Sequence, residues 1–202
     1  MEIILASASP RRKELLKQIG LDFIVFPAQG EEISNQIAPR DIVVELAQKK
    51  AGEIYEKTIA AGVGREDSIV IGADTIVVFE ETVLGKPRDE QDAIRMLTML
   101  SGKTHEVYTG VSLWMREKGK KVQYSFYEKT EVTMYPIKQE DIVSYVKSGE
   151  PMDKAGSYGI QGLGARFIQK INGDYNNVVG LPVGRIYQEL TQLGIAISSD
   201  SL

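Results

Sequence analysis

The sequence predicts an α/β protein in which helices flank a central mixed sheet, arranged as two lobes around a cleft. Segments with the patterns of strands and of helices alternate along the first half of the chain, and a hairpin-rich region follows. Residues 69–78 are almost unbroken apolar, which is typical of a strand covered on both faces. Buried strands between helices, followed by hairpins, favour a sheet with both parallel and antiparallel pairs.

The remaining strands are predicted from shorter apolar or alternating runs. They cover residues 3–6, 21–26, 83–86, 107–114 and 122–134, and a charged loop at 116–121 joins the last two. Asn172-Gly173 is a hairpin signal, so two further strands are predicted around Phe167 and Tyr175. Turns are expected at 62–64 and at Glu80-Glu81, and residues 198–202 are expected to form a loose tail.

The helices are predicted from their capping residues and apolar periodicity. Ser9 is expected to be an N-cap and Pro10 the first residue of a helix that Gly20 ends. Asp89 takes the same N-cap position further along the chain. The predicted helices cover residues 10–19, 39–55, 89–102, 138–147 and 183–193.

The composition limits the classes of function. The chain has 202 residues, of which 43% are hydrophobic, so we expect one domain over residues 1–202 with two intimate lobes. A formal net charge of −4 argues against nucleic acid as a partner, because binding a long polyanion needs many spread cations. The chain lacks cysteine and any apolar run near the about 20 residues of a membrane span, and no signal peptide is expected because the apolar start at residues 1–5 is short and contains an acidic residue. A cytoplasmic protein without membrane contact is therefore expected.

The segment from Ser7 to Arg12 predicts a binding site for an anion. Arg11 and Arg12 fall in the first turn of a predicted helix, where the positive end of the helix dipole disfavours cations. An anionic ligand resolves this conflict, because it accepts hydrogen bonds from the free backbone N–H groups and from both guanidinium groups. The alternative is that Ser9 only caps the helix and the arginines point into solvent.

Asp74 is a candidate functional carboxylate. It interrupts the apolar strand at 69–78 and follows Gly72 and Ala73, whose small size lets another group approach the backbone closely. A buried carboxylate is costly unless a cation, a metal ion or strong hydrogen-bond donors compensate its charge. The alternative is an aspartate at a strand end whose oxygens accept from local amides.

Two lysines and an acidic pair are possible partners of Asp74. Lys50 shares the apolar stripe of its predicted helix with Val43 and Ile54, so it either extends to solvent or meets a carboxylate or phosphate. Lys86 lies between Gly85 and Pro87 in an unusually rigid setting for a surface lysine. Glu31-Glu32 alone indicates a solvated loop, but with Asp74 it offers hard oxygen ligands for a divalent metal.

The chain resembles the Maf family of nucleoside-triphosphate pyrophosphatases in a series of collinear motifs that spans nearly its whole length. The matching segments are residues 5–12, 31–32, 47–51, 72–75, 85–87, 100–105, 153–162, 173–175 and 180–182. The resemblance implies an elongated α/β fold, similar to that of the inosine-triphosphate pyrophosphatases, with the site in the cleft. It also implies Mg²⁺ or Mn²⁺ as cofactor and, because family members are commonly dimeric, a homodimer.

The activity that the resemblance implies is hydrolysis of a nucleoside triphosphate to the monophosphate and pyrophosphate. The implied roles, transferred by matching position, are the following: Asp74 as catalytic base and metal ligand, Glu32 as metal ligand, Lys50 and Lys86 as catalytic cations, and Ser7, Arg11 and Arg12 as phosphate ligands. Arg11, Thr75 and Gln161 match the positions that mark the branch acting on dTTP and UTP.

The chemistry of Gln161 favours that branch modestly. A glutamine amide has a donor and an acceptor that complement the O4 acceptor and N3–H donor of uracil or thymine, but a flipped amide would also match cytosine. Two alternatives stay open. One is the branch of the family that hydrolyses 7-methyl-GTP, and the other is a nucleotide-binding regulator of septum formation that does not depend on hydrolysis.

Overall fold

The computed structural model describes residues 2–62 and 67–195 of the chain. The strands are β1 Ile3–Leu5, β2 Phe23–Val25, β3 Ile69–Phe79, β4 Thr82–Leu84, β5 Thr104–Glu117, β6 Lys120–Met134 and β7 Ile168–Asn172. The α-helices are α1 Pro10–Gln18, α2 Pro39–Tyr55, α3 Glu90–Leu100, α4 Gln139–Lys147, α5 Tyr175–Val179 and α6 Val183–Gln192, and short 3-10 helices cover Glu150–Asp153, Ala155–Ser157 and Leu163–Phe167. Most of the turn expected at 62–64 and the whole tail expected at 198–202 lie outside the described residues. Within those residues, none of the helices has the length and apolar character that crossing a bilayer requires.

The strands form one seven-stranded mixed sheet with the order β2-β1-β3-β5-β6-β7, and β4 pairs with β3. β1 is parallel to both of its neighbours, with Ile4 opposite Ile24 on one side and Val70 on the other. β4 is antiparallel to β3, and β7 is antiparallel to β6. The predicted α/β class with a central mixed sheet and flanking helices is therefore confirmed.

The chain divides into two compact units. The first consists of Met1–Asp74, Thr109–Tyr127 and Gly180–Leu202, and the second of Thr75–Tyr108 and Glu128–Val179. One domain over residues 1–202 with a cleft between its lobes stays a prediction.

In the first unit, helix α2 lies directly on the sheet. Its inner residues Ala51 and Ile54 pack with Ile4 and Val70 in a fully buried cluster. The contact is closest at Gly72, where a Cβ atom would lie 2.5 Å from the carbonyl oxygen of Ala47, and Gly110 of β5 makes a similar approach to Val43. Only glycine fits such a short separation of helix and strand, so these two residues set how closely α2 approaches β3 and β5.

The second unit has its own hydrophobic core under α3 and α4. Leu97, Val132, Tyr145 and Phe167 are among its buried members. Asp89 caps α3 as predicted, because its Oδ1 accepts a 2.8 Å hydrogen bond from the backbone N–H of Asp92. That cap and the amphipathic face of α3 make this helix readable from the sequence.

The strand predicted around Tyr175 is wrong. Tyr175 begins the short helix α5, and β7, which holds the other half of the predicted hairpin, pairs with β6 instead. The local cause is Asp174, whose Oδ1 accepts a hydrogen bond from the backbone N–H of Asn176 at 2.8 Å. An aspartate in this position starts a helical turn and competes with strand pairing.

Three smaller expectations also need correction. The loop predicted at 116–121 is a tight turn with positive φ at Lys118 and Gly119, so both flanking strands are longer than expected. Helix α2 continues into a π-helical segment, Glu56–Ala60, that the periodicity did not indicate. Ser9 precedes α1 but makes no side-chain capping bond, and its own N–H donates to the hydroxyl oxygen of Ser7 at 3.3 Å.

Candidate functional site

The centre of the candidate site is a lysine held by two carboxylates. The Nζ atom of Lys50 lies 2.6 Å from Oδ1 of Asp74 and 2.7 Å from Oε1 of Glu32. The Lys50 side chain is only 16% exposed, so it meets a carboxylate and does not extend into solvent. The sequence left both outcomes open, and the structure decides between them.

The first unit brings these groups together through the packing of α2 on β3. Lys50 lies on the inner face of α2, where Val43 and Ile54 are fully buried. Asp74 follows Gly72 by two residues on the same strand, so its Cβ leaves the strand on the same face as the one on which α2 rests. The expectation that the small residues before Asp74 admit a close neighbour is confirmed, and that neighbour is the backbone of α2.

Arg12 ties the start of α1 to the strand that carries Asp74. Its Nη1 donates to the carbonyl oxygen of Ala73 at 2.8 Å and to the hydroxyl of Ser7 at 3.3 Å, and its Nε donates to the carbonyl oxygen of Gly180 at 2.8 Å. Three chain segments of the first unit therefore meet at one guanidinium group. The planar fork of arginine suits this task, because its donors point in several fixed directions.

The electrostatics place Arg12 in the same neighbourhood as the two carboxylates. Burial lowers the pKa of the Arg12 guanidinium from its ordinary value, and the charges of Asp74 and Glu32 offset part of that effect. The positive charge of Arg11 lowers the pKa of Arg12 further. Arg12 and Lys50 thus interact with the two carboxylates of the first unit, and Arg11 adds a third positive charge near Arg12. The positive charges of this set outnumber its negative charges, so it can bind an anion.

The N-terminus of α1 has the features expected of an anion site. Its first turn contains no acidic residue, and Arg11 and Arg12 come directly after Pro10. Backbone N–H groups at a helix start have no partner within the helix, and the helix dipole there is positive. Ser7 is buried and its hydroxyl contacts both Ser9 and Arg12, so it shapes the turn that leads into the helix.

The loop that carries Glu32 is held by a row of side chains on α2. Glu53 accepts hydrogen bonds from the N–H groups of Gln29 and Gly30 at 2.9–3.1 Å, and Lys49 donates to the carbonyl oxygen of Ile33 at 2.7 Å. Glu45 accepts from the hydroxyl of Ser34 at 2.6 Å. Sequence reasoning missed these residues. The available signal was their spacing, because residues 45, 49 and 53 lie on one face of a helix at i, i+4 and i+8.

Thr75, Lys86 and Gln161, the other predicted site residues, belong to the second unit. Thr75 follows Asp74 in β3, and Lys86 is exposed after the end of β4. Gln161 is exposed in a loop rich in glycine. Within this unit the N–H of Gly156 donates to the carbonyl oxygen of Gly85 at 3.1 Å, which ties the segment before Gln161 to the segment before Lys86.

The donor set of Glu32 and Asp74 fits a magnesium or manganese ion in kind. Both are carboxylates, and their oxygens converge on a single cation, the ammonium of Lys50. Within the described residues no group of three or more histidine or acidic side chains could hold a metal ion. Mg²⁺ commonly binds to one or two carboxylates and completes its shell with waters and substrate phosphates, so two carboxylates suffice for an ion that a triphosphate helps to hold.

Comparison with known proteins gives a consistent result over nearly the whole chain. The model of the family described as Maf-like protein matches residues 2–193. A dTTP/UTP pyrophosphatase of Agathobacter rectalis is 57% identical, with 97% of this chain and 99% of the relative covered. Proteins of the same name from Bacillus cereus and from Bacillus thuringiensis subsp. konkukian are each 50% identical, with 98% of both chains covered.

Proposed function

The chain belongs to the Maf-like protein family, and we propose from this that it hydrolyses dTTP and UTP to the nucleoside monophosphate and pyrophosphate. Relatives that are 57% and 50% identical over almost their full lengths have the name of this activity. The structural observation that carries the proposal is the cluster of Glu32, Lys50 and Asp74 in the same unit as the basic start of α1. Such a set supplies both a base and cations for a triphosphate.

The triphosphate binds where the positive groups converge. Backbone N–H groups at the start of α1 and the side chain of Arg11 hold phosphate oxygens, as a helix N-terminus commonly does. Ser7 and Arg12 line the same turn, and the bonds of Arg12 to Ala73 and Gly180 keep this turn fixed relative to Asp74. Lys50 and Lys86 neutralise the charge that develops on the departing pyrophosphate.

The reaction is an in-line attack of water on the α-phosphorus. The Asp74 carboxylate accepts a proton from the water as the new bond between oxygen and the α-phosphorus forms. The bond from the α-phosphorus to the bridging oxygen of the β-phosphate breaks, and pyrophosphate leaves with the electron pair. Lys50 orients Asp74 for this role, because its ammonium holds Oδ1 at 2.6 Å.

Glu32 and Asp74 would hold the divalent cation that we propose as cofactor, Mg²⁺ or Mn²⁺. When bound, such an ion lowers the pKa of water and compensates phosphate charge. The residues of α2 that fix the Glu32 loop then have a function beyond stability, because they decide where this carboxylate lies relative to Lys50. Base selection is assigned to Arg11, Thr75 and Gln161, of which Gln161 has the amide that complements uracil and thymine.

A panel of nucleoside triphosphates tests this function directly. Purified protein with magnesium is incubated with dTTP, UTP, CTP, GTP, ATP and 7-methyl-GTP, and the products are separated as pyrophosphate or orthophosphate. We expect pyrophosphate and the monophosphate, with dTTP and UTP turned over most efficiently. Orthophosphate as the first product would refute cleavage between the α and β phosphates, and a preference for 7-methyl-GTP would assign the chain to another branch of the family.

A further inference from the structure

Two residues of the second unit hold both ends of the loop that carries Gln161. The N–H of Gly159 donates to the hydroxyl oxygen of Tyr145 at 3.1 Å. At the other end, the N–H groups of Leu163 and Gly164 donate to the two carboxylate oxygens of Glu150, at 2.8 and 3.2 Å. Gln161 itself is exposed in the middle of this loop.

Tyr145 and Glu150 act as one unit, because they are bonded to each other. The hydroxyl of Tyr145 donates to Oε1 of Glu150 at 2.9 Å, so a single chain of hydrogen bonds runs from Gly159 through both side chains to Gly164. A carboxylate that accepts several N–H and O–H donors is a strong and directional anchor. Residues 159–162 belong to no helix or strand, so it is these two side chains that hold the ends of the loop together.

The anchors are themselves fixed in the core. Tyr145 is fully buried, and its ring contacts that of Phe167 edge-on with 5.3 Å between centroids. The Nζ atom of Lys154 donates to the backbone carbonyl oxygen of Glu150 at 2.6 Å. Burial raises the pKa of the Glu150 carboxyl, but the N–H groups of Leu163 and Gly164 and the Tyr145 hydroxyl outweigh it and hold the pKa below its ordinary value.

The loop backbone passes so close to the Glu150 carboxylate that a side chain at position 162 would displace it. A Cβ atom on Gly162 would lie 2.5 Å from both oxygens of Glu150. Gly162 directly follows Gln161, so the position of the Glu150 carboxylate sets the path of the chain one residue from the predicted base-reading amide. Displacement of the carboxylate would therefore move or loosen Gln161.

We infer that Tyr145 and Glu150 are positioning residues that hold Gln161 in place and thereby help to select uracil and thymine. This inference rests on the proposed function, in which the amide of Gln161 contacts the base. An amide distinguishes uracil from cytosine only while the orientation of its donor and acceptor is fixed. A loosened loop lets the amide flip, so discrimination falls even though Gln161 is still present.

The test uses two variants that remove anchor atoms and keep the side-chain volume. Tyr145→Phe removes the hydroxyl but keeps the ring against Phe167, and Glu150→Gln replaces one acceptor oxygen by a donor. For each variant we expect kcat on UTP to change little, KM for UTP and dTTP to rise, and the ratio of kcat/KM for UTP over CTP to fall by about 10-fold. Tyr135→Phe and Glu140→Gln are matched controls, because both side chains are exposed in the second unit.

Hydrogen exchange without nucleotide provides a second measurement that does not depend on activity. The amides of Gly159, Leu163 and Gly164 should exchange faster in Tyr145→Phe than in the parent and in the Tyr135→Phe control. Unchanged exchange would overturn the anchoring role. Faster exchange with unchanged KM values and an unchanged UTP to CTP ratio would show a purely structural role and overturn the inference. Absence of a UTP and dTTP preference in the parent protein would instead refute the proposed function.

Discussion

The ammonium of Lys50 lies 2.6 Å from the carboxylate of Asp74, although the two residues are 24 positions apart in the chain. Their side chains are only 16% and 11% exposed, so the pair is largely withdrawn from water. An aspartate that must accept a proton in catalysis needs a charged carboxylate in a fixed orientation. The contact with Lys50 fixes that orientation, which makes Asp74 the first residue to test.

We expect Asp74→Asn to lower kcat on UTP by at least about 100-fold, because a positioned general base contributes roughly 10²- to 10⁴-fold. The amide oxygen can still accept from Lys50, and Glu32 still contacts that ammonium at 2.7 Å, so the fold should persist. Steady-state kinetics and thermal unfolding measure the two effects. Asp22→Asn, a change at an exposed aspartate of the same unit, is the control. Turnover within a few-fold of the parent would remove Asp74 from the mechanism.

Gly72→Ala tests the packing that brings Lys50 to Asp74. The new Cβ would lie 2.5 Å from the carbonyl oxygen of Ala47 and 2.6 Å from the backbone nitrogen of Ala51, and the α2 backbone cannot yield without a shift. We expect a loss of about 1–3 kcal/mol in the free energy of unfolding, measured by urea denaturation, together with lower turnover.

Gly184→Ala is the matched control for that change. A Cβ on Gly184 in α6 meets no atom within 4 Å, and alanine favours helix over glycine. This variant should be as stable as the parent or slightly more so. Equal stability of the Gly72 and Gly184 variants would contradict the close approach of α2 to β3.

Much of the fold can be predicted from the sequence because its strands and helices follow simple apolar patterns. The candidate residues of the site can be predicted because they are charges that interrupt those patterns. Asp74 interrupts an apolar strand, and Lys50 lies on the apolar stripe of a helix, so the sequence pattern singles out both residues and the elements that carry them. Capping residues and glycines located most helix ends. The α/β class followed from the alternation of these elements.

The partners of these residues could not be read in the same way. Arg12 contacts the carbonyl oxygen of Gly180, 168 positions away. Every residue has a backbone carbonyl group, so the residue type at position 180 does not indicate this contact. The role of Glu53 depends on where the loop after β2 runs, which no local pattern determines. Around Tyr175 the local signals conflicted, and the side chain of Asp174 favoured a helix over the hairpin that Asn172-Gly173 indicated.

Glu53 is expected to control the position of Glu32 through the loop backbone. Its carboxylate accepts from the N–H groups of Gln29 and Gly30, and the hydrogen bond from Lys57 and those two N–H groups lower its pKa below the ordinary value. Glu53→Ala should speed hydrogen exchange at Gln29 and Gly30. It should also raise the magnesium concentration for half-maximal turnover about 10-fold, as loss of outer partners of a metal ligand commonly does.

The control for this variant is Glu56→Ala, because Glu56 is the first residue after α2. Glu56 pairs with Lys121 at 2.8 Å on an exposed surface, so its loss should leave both measurements unchanged. A Glu53 variant with the magnesium dependence of the parent but faster loop exchange would show that Glu53 stabilises the loop without influencing the metal site.

His105 gives the folded state a defined dependence on pH. It is 2% exposed, and its Nε2 lies 2.7 Å from the hydroxyl of Tyr158, while Nδ1 has no hydrogen-bond partner among the described residues. Burial lowers the pKa of His105 to about 4 from 6.5. The unfolded chain therefore binds this proton more readily than the folded protein, and stability decreases as the pH falls below 6.5 and continues to decrease until about 4.

The expected loss from His105 is about 2 kcal/mol in the free energy of unfolding between about pH 7 and about pH 5. The chain contains one histidine, and carboxylates titrate mainly below this window, so the effect can be assigned. Urea denaturation at several pH values measures it. His105→Asn should be less stable at neutral pH, because a buried ring is lost, but its stability should vary much less across the window. An equally steep dependence in this variant would show that His105 is not the group that titrates.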